Sequence, residues 1–191
     1  MHAFSLTVGS LLGHPWAKEL VKRAQRLVTY FQASTRAYHK LLEGARSLGI
    51  KGRLRSSNKT RFTSIQMMLE SVVGLEAAFA FLLNNHGSVI LNADIPPIIR
   101  DRVFWASAEV LNKILVPFSR VMMAIQAKTA TLADITRYWL YLARVLREEL
   151  PKVAAAGGES SSCCFAAKVL PLSNMMSASP LVPDEWLMSS T

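Results

Sequence analysis

The side chains able to hold a metal or move a proton are thinly spread in this chain. His2, His14, His39 and His86 stand far apart, no His-Glu-x-x-His pair occurs, and the only cysteines are the neighbours Cys163 and Cys164. A zinc site needs donors spaced so that they converge on one ion, so no metal site is expected. Two-metal phosphoryl transfer needs several carboxylates clamped together. Here Glu70 and Glu76 fall among apolar residues, Asp94 and Asp134 stand where helices begin, and Glu148 and Glu149 end a helical stretch. No glycine-rich phosphate cradle follows a strand-like segment. The expectation is a chain with no catalytic residues and no cofactor.

The informative side chains are basic. Lys51, Arg53, Arg55, Lys59 and Arg61 crowd into a segment rich in Gly, Ser and Asn. Lys18, Lys22, Arg23, Arg26, Arg36, Lys40 and Arg46 precede them, and between residues 16 and 61 the only acids are Glu19 and Glu43. Clustered base at a helix end and its adjoining loop can follow a phosphate backbone without reading bases, so these five loop residues are the candidate nucleic-acid-binding set. The bland alternative is a solvated surface that serves solubility.

These residues must be positioned by helices. Apolar residues recur near a 3.6-residue period from Trp16 to Arg46, which predicts one long helix or a helix pair with Pro15 in its first turn and Gly44 and Gly49 at its fraying end. A cationic loop follows, then a helix from about Thr63 that ends near Asn84-Asn85-His86-Gly87 and carries Ile65, Met68, Leu69, Val72, Phe79 and Leu82. Gly74 inside it implies close packing against another helix. Asp94-Ile95-Pro96-Pro97 predicts a capped short helix through Arg100. The next runs from Val103 to Lys128, kinked or divided at Pro117. Thr131-Leu132-Ala133-Asp134 reads as a capping box for a helix that stops at Pro151. Met67, Met68, Met122 and Met123 share helical spacing with other apolar residues and are expected in the core. No segment shows the alternation of a strand, so the class is all-α, an irregular bundle of long amphipathic helices over residues 1–153. Residues 154–191, rich in Ala, Ser, Met and Pro, read as a low-order tail.

With 191 residues, 51% of them hydrophobic, the chain can bury a core of its own, and a net charge of +9 favours polyanionic partners. Adjacent cysteines cannot form a relaxed bridge, which suits a reducing compartment. The apolar opening Met1 to Leu12 lacks a preceding Lys or Arg, and His14-Pro15-Trp16 replaces a small-residue cleavage site, so secretion is not expected. No apolar run reaches the ~18–20 residues of a membrane span.

Four short motifs, in order, point to a family. Asn58-Lys59-Thr60-Arg61-Phe62-Thr63-Ser64 resembles the Thr-Arg-Trp-x-Ser block of hAT-superfamily transposases, with Phe62 in place of the usual Trp. Asp101-Arg102-Val103-Phe104-Trp105 is similar to that family's Asp-x-x-Phe-Trp, Ile114-Leu115-Val116-Pro117-Phe118 to its Ile-Leu-x-Pro-Phe, and Thr131-Leu132-Ala133-Asp134 to its Thr-Leu-Ala-Asp. His2-Ala3-Phe4-Ser5-Leu6 resembles the end of its Cys-x-x-His-x-x-Asn-Leu helix, so the likeness spans roughly residues 1–150. Such transposases carry an Asp-Asp-Glu triad on a ribonuclease H-like core interrupted by a large helical insertion. The resemblance implies that this chain corresponds to the insertion, with both aspartates before it and the glutamate after it. The zinc-finger and dimerisation regions would lie outside it as well. It further implies a nuclear protein, cytoplasmic otherwise, without enzymatic activity, that retains non-specific affinity for DNA. A helical interaction or self-association module, its apolar faces shaped for a missing ribonuclease H-like core, is the alternative.

Overall fold

Punctuation residues set where the chain turns. The computed structural model describes residues 2–57, 62–126 and 131–156, which form α1 (His2–Gly13), α2 (Pro15–Ala33), α3 (Thr35–Ser47), α4 (Phe62–Val73), α5 (Glu76–His86), α6 (Ile95–Arg100), α7 (Arg102–Ile125) and α8 (Leu132–Ala156). A single 3-10 turn, Gly87–Val89, follows α5. No strand occurs among the described residues, and the all-α bundle is as the periodicity predicts.

The stretch from Trp16 to Arg46 is a helix pair. Ser34 leaves helical geometry and its Oγ accepts from the Ala37 N–H, so it both ends α2 and caps α3. Gly44 does not mark a fraying end, as its sequence position suggested. It is buried in α3, where α5 comes so close that a Cβ there would stand 2.9 Å from the Phe81 ring. The end falls at Gly49, whose φ of 70° is the left-handed value that glycine adopts without steric cost.

The predicted single helix from Thr63 to the Asn84-Asn85-His86-Gly87 stretch is two helices, α4 and α5, bent by 49°. Gly74 sits at that break, exposed, and a Cβ there would meet only the Glu70 carbonyl of its own turn. Its role is to let the chain bend, not to admit a neighbouring helix. Asp94 likewise does not cap α6, since its own backbone is helical and its side chain bonds no helical N–H. Asn92 Oδ1 accepts from Asp94 N instead.

Two prolines are absorbed. α7 continues through Pro117, and α8 continues through Pro151 to Ala156. Proline removes one helical donor, but the cost is local when tertiary packing holds the flanking turns, and Ile114, Leu115, Pro117 and Phe118 are all buried. The capping box at Thr131 forms as expected: Thr131 N and Oγ1 both donate to Asp134 Oδ2, and Asp134 N donates back to Thr131 Oγ1. The predicted tail lies outside the described residues, apart from the last turn of α8.

The core lies around α7, which packs on α4 and α8 and touches α1 and α2. An aromatic chain threads it. Phe31 of α2 meets Phe79 of α5 edge-on at 5.1 Å, Phe79 meets Trp105 of α7 at 5.8 Å, and Trp105 meets Phe104 at 5.0 Å. The Trp105 indole N–H donates to the Ile99 carbonyl at 2.8 Å, so the buried ring keeps its polar atom satisfied. Met68 and Met122 are buried as expected, whereas Met67 and Met123 of the same pairs face solvent.

No single helix among the described residues is long and apolar enough to cross a membrane. The bent pair α4 and α5 reaches that composition jointly, with Met68, Leu69, Val72, Phe79 and Leu82 buried in the protein core.

Candidate nucleic-acid interface

The basic loop between α3 and α4 is held at its entrance by hydrogen bonds that satisfy the last carbonyls of α3. Ile50 N donates to the Ala45 carbonyl at 2.8 Å and Gly49 N to the Arg46 carbonyl at 3.0 Å, the paired closure of a Schellman motif with Gly49 in the left-handed position. The chain therefore leaves α3 in a set direction.

From Lys51 to Ser56 the chain is exposed except at one residue. Lys51, Arg53 and Arg55 are exposed, while Leu54 between the last two is only 5% exposed. Leu54 is a plug that fixes the depth of the loop, and its carbonyl accepts from Gln32 Nε2 of α2 at 3.4 Å. One residue on, Arg55 N donates to Ser71 Oγ of α4 at 3.0 Å, and Ser71 Oγ donates in turn to the Met68 carbonyl at 2.7 Å. Backbone and apolar contacts thus hold the loop from α2 and α4, and all three cationic heads are left in water.

None of Lys51, Arg53 and Arg55 makes an ion pair among the described residues. Glu70 adjoins Ser71 in sequence, but its carboxylate accepts from Gln66 Nε2 at 3.1 Å. The remaining two candidates, Lys59 and Arg61, and with them the whole of Asn58-Lys59-Thr60-Arg61, lie outside the described residues.

The structure corrects the reading of the upstream base. Glu19 and Glu43 are the only acids nearby in sequence, yet the fold brings two more from far along the chain. Arg23 pairs with Asp101 at 2.7 Å, with its guanidinium carbon 5.0 Å from the centroid of the Phe104 ring, and Arg26 faces Asp94 at 4.0 Å. Lys22 lies 3.7 Å from Glu19, and Lys40 lies 2.7 Å from Glu43. The Lys40 hydrogen bond and charge hold the Glu43 carboxyl below its ordinary value. Among the described cations of this third of the chain, Arg36 and Arg46 of α3 are exposed and without ion pairs like the three loop residues, and so is Lys18 of α2.

Leu54, Gln32 and Ser71 were not singled out by the sequence. The alternation of base with Gly52 and Leu54 carried a signal for the first of them, because in extended chain successive side chains point to opposite sides. Nothing local marked Gln32 or Ser71, since their contacts cross 22 and 16 residues. Elsewhere among the described residues no group of three or more His, Cys, Asp or Glu side chains gathers as a metal site would require.

What the arrangement can do chemically is bind anionic oxygens. Three cations without acid partners, on a backbone tethered at the Leu54 side chain and the Leu54–Arg55 peptide, present positive charge of the kind that anionic oxygens pair with. No protein-family profile, curated protein or solved structure matches the chain.

Proposed function

We propose that this chain is a non-catalytic helical module, derived from the insertion region of a hAT-like transposase, that binds the DNA backbone through residues 51–61 without reading sequence. The observation that carries the binding half is the pinned loop: Lys51, Arg53 and Arg55 have no acid partners although Leu54 and the Arg55 amide are fixed to the core. A surface serving solubility alone has no need of such tethering.

The transposase half rests on the four ordered motifs, and the work those residues do is consistent with it. Asp101 caps α7, Phe104 and Trp105 join the aromatic core, Ile114, Leu115 and Phe118 are buried, and Thr131 with Asp134 opens α8. Residues that set helix starts and fill the core are those a helical insertion would keep as its surface drifts. A nuclear location follows from the same reading.

The test is fluorescence anisotropy with two unrelated DNA duplexes of equal length. The expected result is equal affinity for both at low salt and loss of binding in K51Q/R53Q/R55Q/K59Q/R61Q. Strong preference for one duplex, or full binding by the variant, contradicts the proposal.

A second reading, self-association, has one observation in its favour: Leu91 is 90% exposed and Val103 61% exposed. Sedimentation that stays monomeric as concentration rises overturns it.

A further inference from the structure

Three hydroxyls in the chain follow an arginine by three positions: Thr29 after Arg26, Ser56 after Arg53 and Ser64 after Arg61. An arginine-directed protein kinase reads that spacing, because an acidic pocket on the enzyme holds the guanidinium while the hydroxyl enters the catalytic cleft. In extended chain the two positions lie about 10 Å apart, whereas on a helix they share one face at about 5–6 Å. A helical substrate does not reach both subsites.

The fold separates the three. Thr29 lies within α2, and Ser64, half-buried, lies within α4. Residues 51–57 belong to no helix, strand or turn, and Arg53, Arg55 and Ser56 are all exposed. Arg53 makes no ion pair among the described residues, so no acid of the protein competes for it there. The Ser56 hydroxyl has no hydrogen-bond partner among the described residues, and Ser57 beside it is half-buried.

We propose that Ser56 is the acceptor of an arginine-directed serine kinase and that its phosphate switches off the basic loop. Ser56 Oγ attacks the γ-phosphorus of magnesium-bound ATP, the bond to the β–γ bridging oxygen breaks, ADP leaves, and the hydroxyl proton passes to the kinase's catalytic carboxylate. The product carries a charge of about −1.5 to −2, which cancels roughly two of the positive charges on Lys51, Arg53 and Arg55 and offers its oxygens to the neighbouring guanidiniums. Arg55 N is held by Ser71 Oγ, so the new anion stays beside the cations it neutralises. The acceptor role follows from the exposure of the loop; the effect on binding rests on the reading of residues 51–61 as a DNA contact.

The test treats the full chain with calmodulin-dependent type II kinase and magnesium-ATP, then maps the phosphate by peptide mass spectrometry. The expected result is one phosphate, on Ser56, with none in S56A and a rate at least tenfold lower in R53Q. The phosphorylated chain, separated by ion exchange and matching the unmodified one in far-ultraviolet circular dichroism, should bind duplex DNA at least tenfold more weakly at about 100 mM salt. S56A taken through the same treatment should bind like the untreated chain. Phosphate on Thr29, Ser57 or Ser64 instead, none on Ser56, or an unchanged rate in R53Q overturns the acceptor role. Equal DNA affinity before and after modification overturns the switch. Failure of the unmodified chain to bind DNA overturns the DNA reading and the switch together, and the mass result alone then decides the acceptor role.

Discussion

Asp101 joins three elements through one carboxylate. Its Oδ1 accepts from Val103 N at 2.9 Å and Phe104 N at 3.2 Å, so it caps α7, while Oδ2 accepts from Arg23 of α2 at 2.7 Å. Its own N–H closes α6 on the Ile98 carbonyl. Burial pushes this carboxyl upward, but the Arg23 hydrogen bond and charge with the two helix N–H groups outweigh it, and the net shift is downward. A carboxyl lowered in the folded state contributes stability that is fully present above its unfolded pKa, near 3.9, and is lost as pH falls through the lower folded value. Asp101→Ala should therefore cost about 2 kcal/mol in urea unfolding at neutral pH, combining a lost cap with a charge-assisted bond discounted for partial exposure. The acid limb of its stability profile should flatten relative to wild type. Asp101→Asn, which keeps a capping oxygen, should lose less.

Gly44 offers a second residue-scale test in which two effects oppose. Alanine gains about 1 kcal/mol of helix propensity over glycine, but its methyl would stand 2.9 Å from Phe81. The clash should prevail, with Gly44→Ala destabilising by about 1–2 kcal/mol. In a Phe81→Ala background the same substitution should become neutral or stabilising, and a double-mutant cycle measures the difference.

At the scale of elements, the α3–α4 loop is fixed by features that carry no charge. Leu54→Ser keeps every cation and removes the apolar plug. It should lower DNA affinity by roughly fivefold, the equivalent of about 1 kcal/mol of added ordering cost. Amide exchange at Arg55, whose N–H is held by Ser71, should quicken in the same variant. Unchanged affinity together with faster exchange would mean that the charges alone suffice.

The same scale shows which features the sequence discloses. Capping residues act within a few positions, so Thr131 with Asp134 was legible and so was Pro15 in the first turn of α2. Asp94 was misread because an acid before two prolines satisfies the pattern of a cap even when a neighbour, Asn92, supplies the local hydrogen bond. The division expected at Pro117 and the stop expected at Pro151 do not occur: a local penalty predicts a break, yet α7 runs on through the buried Ile114, Leu115 and Phe118, and α8 runs on to Ala156. Gly44 and Gly74 exchanged the roles expected of them, because only the fold reveals which glycine faces Phe81 and which sits at a bend.

For the whole molecule, net charge is a poor guide to where a polyanion would land. The sequence places base throughout residues 16–61, but folding pairs Arg23 with Asp101 and brings Asp94 to Arg26 from about 70 residues away or more. The loop residues Lys51, Arg53 and Arg55 escape this pairing, and that selection is invisible in one dimension. The central claim is that those three side chains contact phosphates. The most direct measurement is the slope of log affinity for duplex DNA against log salt, between about 50 and 200 mM, for wild type and K51Q/R53Q/R55Q. The account predicts a slope shallower by about 3 in the variant, close to one lost counterion per cation. Parallel slopes, with affinity unchanged, would contradict it and leave the loop as an ordinary solvated surface.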